Sequence, residues 1–186
     1  MDKHQALTTI AMHAPSASAP GEKVIVKNSH CSYCGTAFGE EQTWPRQCAA
    51  CGKFSYLNPI AVAVGLVPVD DGLLLIRRTV APRIGELALP GGFVNLGETW
   101  QEGCVREIEE ETGLRIPAEE VQLYEALSAP EGMVLIFGLV SPRAAADLPP
   151  FAPNEETSEC VIMREAAELA FPLHSQAAAK FWRDKG

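Results

Sequence analysis

The sequence predicts a mixed α/β domain with a small four-cysteine zinc module on its N-terminal side. Three observations carry this: two CxxC pairs lie close together, short apolar runs separated by turn signals begin at Pro59, and one acidic segment has helical spacing and a glycine stop. A chain of 186 residues suits one well-cored domain plus a small appendage. The apolar fraction of 47% and charged fraction of 21% are ordinary for a globular protein. No run of eighteen apolar residues occurs, so neither a transmembrane helix nor a membrane partner is expected. The N-terminus, MDKHQALTTIAMHAPSASAPGEK, lacks the apolar core of an export signal, so a cytoplasmic protein is expected. The six cysteines are then explained without stable disulfides.

Three regions follow in order. Residues 1–23, rich in Ala, Ser, Pro and His, read as a mobile tail with one helical turn near Leu7 to Met12. Residues 24–58 carry the CxxC pairs, and residues 59–186 form the α/β domain. IAVAVGLVPV (Ile60 to Val69) and GLLLIRR (Gly72 to Arg78) read as strands joined by a hairpin at DDG. LALPGGFV (Leu87 to Val94) reads as a strand broken by Pro90-Gly91-Gly92. A helix is expected from about Glu98 to Glu111, with Gly113 as its C-cap. VQLYEAL, GMVLIFGLV and ECVIMRE read as strands, and REAAELA and HSQAAAKFWRDK as short helices.

Cys31, Cys34, Cys48 and Cys51 form two CxxC knuckles, each followed by glycine, with thirteen residues between them. Two knuckles supply the four thiolates that structural Zn2+ prefers. A redox CxxC pair is the competing reading, but it needs no second pair. From Cys31 to Lys53, Glu40 and Glu41 balance Arg46 and Lys53, which argues against a nucleic-acid clamp. Cys104 and Cys160 read as packing residues.

Between Gly92 and Leu114 six acids stand against one base, Arg106, in a chain of net charge −9. Glu107, Glu110 and Glu111 are spaced i, i+3, i+4 and share a helix face, whereas Glu109 points elsewhere. Val105, Ile108 and Thr112 fall on the side that can meet a core. Two readings stand for the acidic face. A solvated face would normally carry Lys at i+4, and none is present. Convergent carboxylates suit Mg2+ or Mn2+, which brings phosphate-bearing substrates with it.

The longer stretch GFVNLGETWQEGCVREIEEETGL resembles the Nudix box at each defining position: Gly92, Glu98, Arg106-Glu107, Ile108, Glu110-Glu111, Gly113 and Leu114. The resemblance implies a Nudix α/β/α sandwich around a mixed sheet. It implies that Glu107, Glu110 and Glu111 hold Mg2+ or Mn2+ with the Gly92 carbonyl, and that Glu98 pairs with Arg106. It further implies hydrolysis of a nucleoside diphosphate linked to another moiety, with Glu110, Glu111 or a loop residue outside the box as general base.

A four-cysteine ribbon before such a domain resembles the NADH pyrophosphatase branch and its ribbon-bearing relatives that act on ADP-ribose or FAD. CGKFSYLNP (Cys51 to Pro59) and FAPNEETSEC (Phe151 to Cys160) carry that likeness. The SQPWPFPxS segment of NADH pyrophosphatases is absent; the comparable stretch reads LSAPEGMVLIFG (Leu127 to Gly138). The expected substrate is a small dinucleotide or nucleotide sugar such as ADP-ribose or FAD. The alternatives are NADH or NAD, and a Nudix-fold sensor that binds without cleaving; an intact carboxylate set argues against the sensor. A zinc-ribbon nucleic-acid module is a third class, disfavoured by the negative net charge.

Arg77, Arg78 and Arg83 either touch substrate phosphate or carry surface charge, and strand alternation lets at most one of the first two face a cleft. Tyr124 and Phe137 read as core or as base-stacking rings. His4, His13, His30 and His174 show no ligand spacing. The AAAKFW stripe reads as packing or as a homodimer contact.

Overall fold

The computed structural model describes residues 26–39, 42–130 and 132–185. The tail and the turn expected at Leu7 to Met12 lie outside them. The chain divides into two compact units, Met1–Leu57 and Asn58–Gly186.

In the first unit, β1 (Arg46–Gln47) and β2 (Phe54–Ser55) form a short antiparallel hairpin. The two knuckles repeat one geometry. Gly35 donates its N–H to the Cys31 carbonyl at 3.0 Å, and Gly52 donates to the Cys48 carbonyl at 2.8 Å. Both glycines have positive φ, +74° and +71°, which a residue with a Cβ resists.

The second unit is built on β3 (Ile60–Leu66), β4 (Pro68–Val69), β5 (Gly72–Arg78), β6 (Leu87–Ala88), β7 (Gly91–Phe93), β8 (Gln122–Ala129), β9 (Met133–Leu139) and β10 (Thr157–Met163). Its helices are α1 (Trp100–Thr112) and α2 (Pro172–Lys185). One sheet runs β7-β3-β9-β8, mixed because β3 and β9 are parallel. The other runs β10-β5-β4, with β6 also on β5, and is antiparallel.

Strand alternation sorts the side chains into two cores. Ala63 and Leu74 pack with Cys104 and Ile108 of α1. Their neighbours Val64, Leu73 and Leu75 pack with Phe137 and with Ala177, Ala178 and Phe181 of α2. Adjacent strand residues face opposite ways, so the helices cover opposite faces of the sheet layer. This is the expected α/β/α arrangement.

Three expectations change. The run from Ile60 to Val69 is divided at Val67: β3 joins one sheet, while β4 turns to pair with β5. The helix begins at Trp100, with Glu98 in the turn before it. REAAELA forms no helix. Seven residues are too few to nucleate one alone, and tertiary bonds claim its end: Ala170 N–H donates to the Leu87 carbonyl at 2.7 Å, and Leu169 N–H to the Ser175 hydroxyl at 2.9 Å. Phe137 is fully buried in the core, so it is not a base-stacking ring. Tyr124 packs at the core's edge and donates its hydroxyl to Asp184 at 2.7 Å.

Candidate active site

Helix α1 carries most of the site, and its ends are fixed locally. Thr99 accepts the Glu102 N–H, and Glu102 accepts the Thr99 N–H, a reciprocal capping box. At the other end Gly113, with φ 76°, donates to the Glu109 carbonyl at 2.8 Å. Cys104, Ile108 and Thr112 are buried and set the helix's rotation. That rotation turns Glu107 and Glu111 inward and leaves Glu110 at the rim.

Arg106 stands among the carboxylates. Its guanidinium donates to Glu98 at 2.8 Å, to Glu107 at 2.7 Å, to Glu110 at 3.2 Å and to the Phe93 carbonyl at 2.9 Å. This binds the turn before the helix to the helix face. The Arg106 partner, with the Asn95 N–H, holds the Glu98 carboxyl below its ordinary pKa. Glu109 lies apart and pairs with exposed Arg115 at 2.7 Å.

Glu111 is 3% exposed and accepts the Gly91 N–H at 2.8 Å. Burial pushes its pKa up to about 8; the Gly91 bond opposes this, the charges of Glu107 and Glu156 add to it, and Arg78 opposes it. Burial also raises Glu107, against the pull of Arg106. Two inward carboxylates that disfavour each other's charge invite a cation between them. The Pro90-Gly91-Gly92 break makes the room. A Cβ on Gly92 would lie 2.5 Å from the Glu107 carboxyl carbon, so only glycine lets that carboxylate rest on the strand. An all-oxygen donor set suits Mg2+ or Mn2+. The acids are less tightly gathered than the thiols: among the described residues, the group whose ligand atoms all fall within 4.8 Å of one another is the four cysteines.

Those cysteines fit zinc. The Cys31 and Cys51 sulfurs are 3.7 Å apart, and those of Cys34 and Cys48 3.6 Å. A tetrahedron with Zn–S of about 2.3 Å has edges of about 3.8 Å. Backbone N–H groups, first that of Tyr33, lower the Cys31 thiol to about 6, and the Thr36 hydroxyl lowers that of Cys34, whereas against its Lys53 backbone bond burial and the neighbouring thiols raise Cys51 to about 11.

The three arginines separate. Arg77 is engaged by Glu159 and the Gly85 carbonyl, and Arg83 by Glu86 at 3.5 Å. Arg78 donates to the Pro82 and Val80 carbonyls and lies 5.1 Å over Phe171; of the three, its charge is the one felt at Glu111. Sequence reasoning passed over Asn154 and Glu156 as individual residues. Asn154 donates its side-chain N–H to the Glu110 carbonyl at 2.9 Å. An Asn three residues before a strand Thr is a turn signal that would have pointed to it.

The chain is similar to known proteins in sequence and in fold. A 59-residue stretch, 32% of the chain, is 52% identical to an ADP-ribose pyrophosphatase of Methanocaldococcus jannaschii, covering 35% of that protein. Over 119 residues, 63% of the chain, it is 30% identical to the NAD-capped RNA hydrolase NudC of Edwardsiella ictaluri, covering 45% of it. The chain thus spans less than half the length of these curated relatives. The crystal structure of a NUDIX hydrolase from Nitrosomonas europaea superposes with a TM-score of 0.68 at 25% identity, covering 84% of this chain and 92% of that one. The NUDIX domain model matches residues 59–183, the stretch that holds both sheets, α1 and most of α2, and the chain belongs to the NUDIX family.

Proposed function

We propose that this protein is a divalent-metal-dependent pyrophosphatase that hydrolyses a nucleoside diphosphate linked to another moiety, with ADP-ribose, FAD or a related dinucleotide as substrate. The observation that carries the reading is the inward pair Glu107 and Glu111, set against Gly91 and Gly92 and bordered by Arg106. Likeness to a protein named ADP-ribose pyrophosphatase supports the substrate class.

Glu107, Glu110 and Glu111, with the Gly92 carbonyl, would hold Mg2+ or Mn2+. When bound, the ions would neutralise the charge of the pyrophosphate and of the departing oxygen. Arg106, anchored on Glu98 and the Phe93 carbonyl, keeps the helix face aligned with the preceding loop. Water forms a bond to one phosphorus, and the bond from that phosphorus to the bridging oxygen breaks. Glu110 or Glu111 takes the water's proton, and two phosphate-bearing products leave. Of the three arginines Arg78 is the one whose charge is felt at Glu111, which supports it as the one that would meet substrate phosphate. Cys31, Cys34, Cys48 and Cys51 would hold a structural Zn2+ that takes no part in the reaction.

A second reading, hydrolysis of NAD or NADH, draws on the relative named NAD-capped RNA hydrolase. The absence of an aromatic-proline segment in Leu127 to Gly138 counts against it. The test is a panel of ADP-ribose, FAD, NADH, dinucleoside polyphosphates and nucleoside triphosphates with Mg2+ and with Mn2+, products separated by chromatography. ADP-ribose or FAD is expected to turn over fastest. Preference for NADH would favour the second reading, and no turnover of any member would overturn both.

A further inference from the structure

β8 is the outer strand of its sheet and, at 8 residues, the longest strand among the described residues. The direction of its backbone groups follows from its neighbour. Ile60 N–H donates to the Gly132 carbonyl at 3.0 Å and Val140 N–H to the Leu66 carbonyl at 3.1 Å, so the even-numbered residues of β9 turn their backbone toward β3. The odd-numbered ones, Met133, Leu135 and Phe137, turn theirs toward β8, where they face Ala129, Leu127 and Glu125. Ala126 and Ser128 stand between these, so their N–H and C=O groups point away from the sheet, and both residues are exposed. Among the described residues no other group bonds the backbone of either. Natural sheets guard such an edge with Lys, Pro, a bulge or a covering segment. From Glu125 to Ala129 there is no Lys and no Pro. The strand's irregularity lies outside this run, at Tyr124, whose carbonyl accepts Lys180 Nζ at 3.5 Å.

We infer that this edge joins two copies of the chain: β8 pairs antiparallel with the partner's β8, Ala126 lying opposite the partner's Ser128 and Leu127 opposite the partner's Leu127. The occupant is a second copy because the edge is complementary to itself. An antiparallel pair of like strands has a twofold axis, so one edge serves both copies. In this register each outward N–H and C=O of Ala126 and Ser128 meets its counterpart. The one charge in the strand, Glu125, faces the partner's Ala129, and the half-buried Leu127 side chains, which pack at the rim of the core, meet at the axis. Other registers lose this match. Sliding one way engages the irregular Tyr124 and then sets Glu125 opposite the partner's Glu125, a like-charge contact; sliding the other way engages Pro130, which has no N–H. Ala177, Ala178 and Phe181 of the C-terminal stripe lie in the core, so the contact between copies is assigned to β8 rather than to that stripe. The inference does not depend on the pyrophosphatase reading.

The test is the mass of the full chain, read by light scattering behind size-exclusion chromatography over a dilution series, with reductant present so that no disulfide contributes. Concentrated wild type should have about twice its chain mass of 20.0 kDa, and Ala126→Pro should stay at 20.0 kDa throughout. Proline here removes an N–H that β9 does not use, and edge strands accept proline where the N–H faces solvent, so the variant should keep the far-UV circular dichroism of wild type. If Ala126→Pro fails to fold, Ser128→Pro, which removes the other outward N–H, carries the test. Amide exchange supplies a second reading: the Ala126 and Ser128 amides should be protected in concentrated wild type and lose that protection on dilution. A wild type that stays monomeric throughout would overturn the inference and leave the edge to a partner of another kind. So would a folded proline variant that remains dimeric, or a dimer whose Ala126 and Ser128 amides exchange freely.

Discussion

Glu111 is a carboxyl group that the metal-free fold keeps protonated in neutral solution. Its pKa stands near 8 against an ordinary 4.5. Unfolded chains release that proton near 4.5 while the folded chain keeps it, so metal-free protein should lose stability as pH rises from about 4.5 through about 8. The slope approaches 1.4 kcal/mol per pH unit for one proton. Glu111→Gln keeps an acceptor for the Gly91 N–H and should flatten that slope in thermal melts. Glu110→Gln or Glu111→Gln should gain less melting temperature from Mg2+ than wild type does. Each should also lose turnover by roughly 100-fold or more, on the order of 3 kcal/mol of barrier. Glu109→Gln, whose partner is Arg115 on the outside, should keep nearly full activity. Equal small effects at all three positions would sink the metal-site reading.

At the scale of elements, α1 and the cysteine knuckles were the most legible parts, because local chemistry defines them. Gly113 announces a stop and two CxxC-Gly repeats announce their own turns, whereas the Thr99–Glu102 capping box puts the start at Trp100 rather than near Glu98. The boundary at Val67 was not legible, since IAVAVGLVPV is one apolar run and only the pairing partners of β3 and β4 distinguish its halves. REAAELA misled because its composition favours a helix while Leu169 and Ala170 bond elsewhere. In the site, the acids of α1 could be read from spacing. The turn at Asn154 has a local signal, but its bond to α1 has none, because its partner Glu110 is distant in sequence and the bond is to a carbonyl common to every residue. The knuckles give a prediction of their own: purified protein should carry one zinc per chain, and Cys34→Ser should lower the zinc content. Elemental analysis without zinc in wild type would contradict the ribbon.

For the molecule as a whole, the core beneath α2 encloses an uncharged histidine. His174 is 6% exposed, lies against the rings of Phe137 and Phe171, and has no partner for Nδ1 among the described residues. Burial lowers its pKa to about 3, and the charge of Arg78 adds to the effect. The folded state thus refuses a proton that the unfolded chain takes up near 6.5. Its contribution is whole above that pH and is lost as pH falls from about 6.5 toward 3. His174→Gln should lower stability at pH 7.5 and lessen the further loss between pH 6.5 and 4, measured by urea unfolding; an unchanged acid limb would contradict this.

The parallel pairing of β3 with β9 sets Ile60 beside Met133, and the box from Gly92 to Leu114 lies in the chain between them. Parallel neighbours need a long crossover, so here the box is itself part of the connection. During synthesis all the box glutamates emerge before β9, the strand that pairs with β3, and Asn154 emerges later still. A nascent chain that already has the whole signature should therefore have no working site. A fragment ending at Pro130 is expected to show no specific Mn2+ binding, and addition of the missing segment, residues 131–186, as a separate peptide is expected to restore it. A fragment that binds Mn2+ like the full chain would show that the helix alone assembles the site.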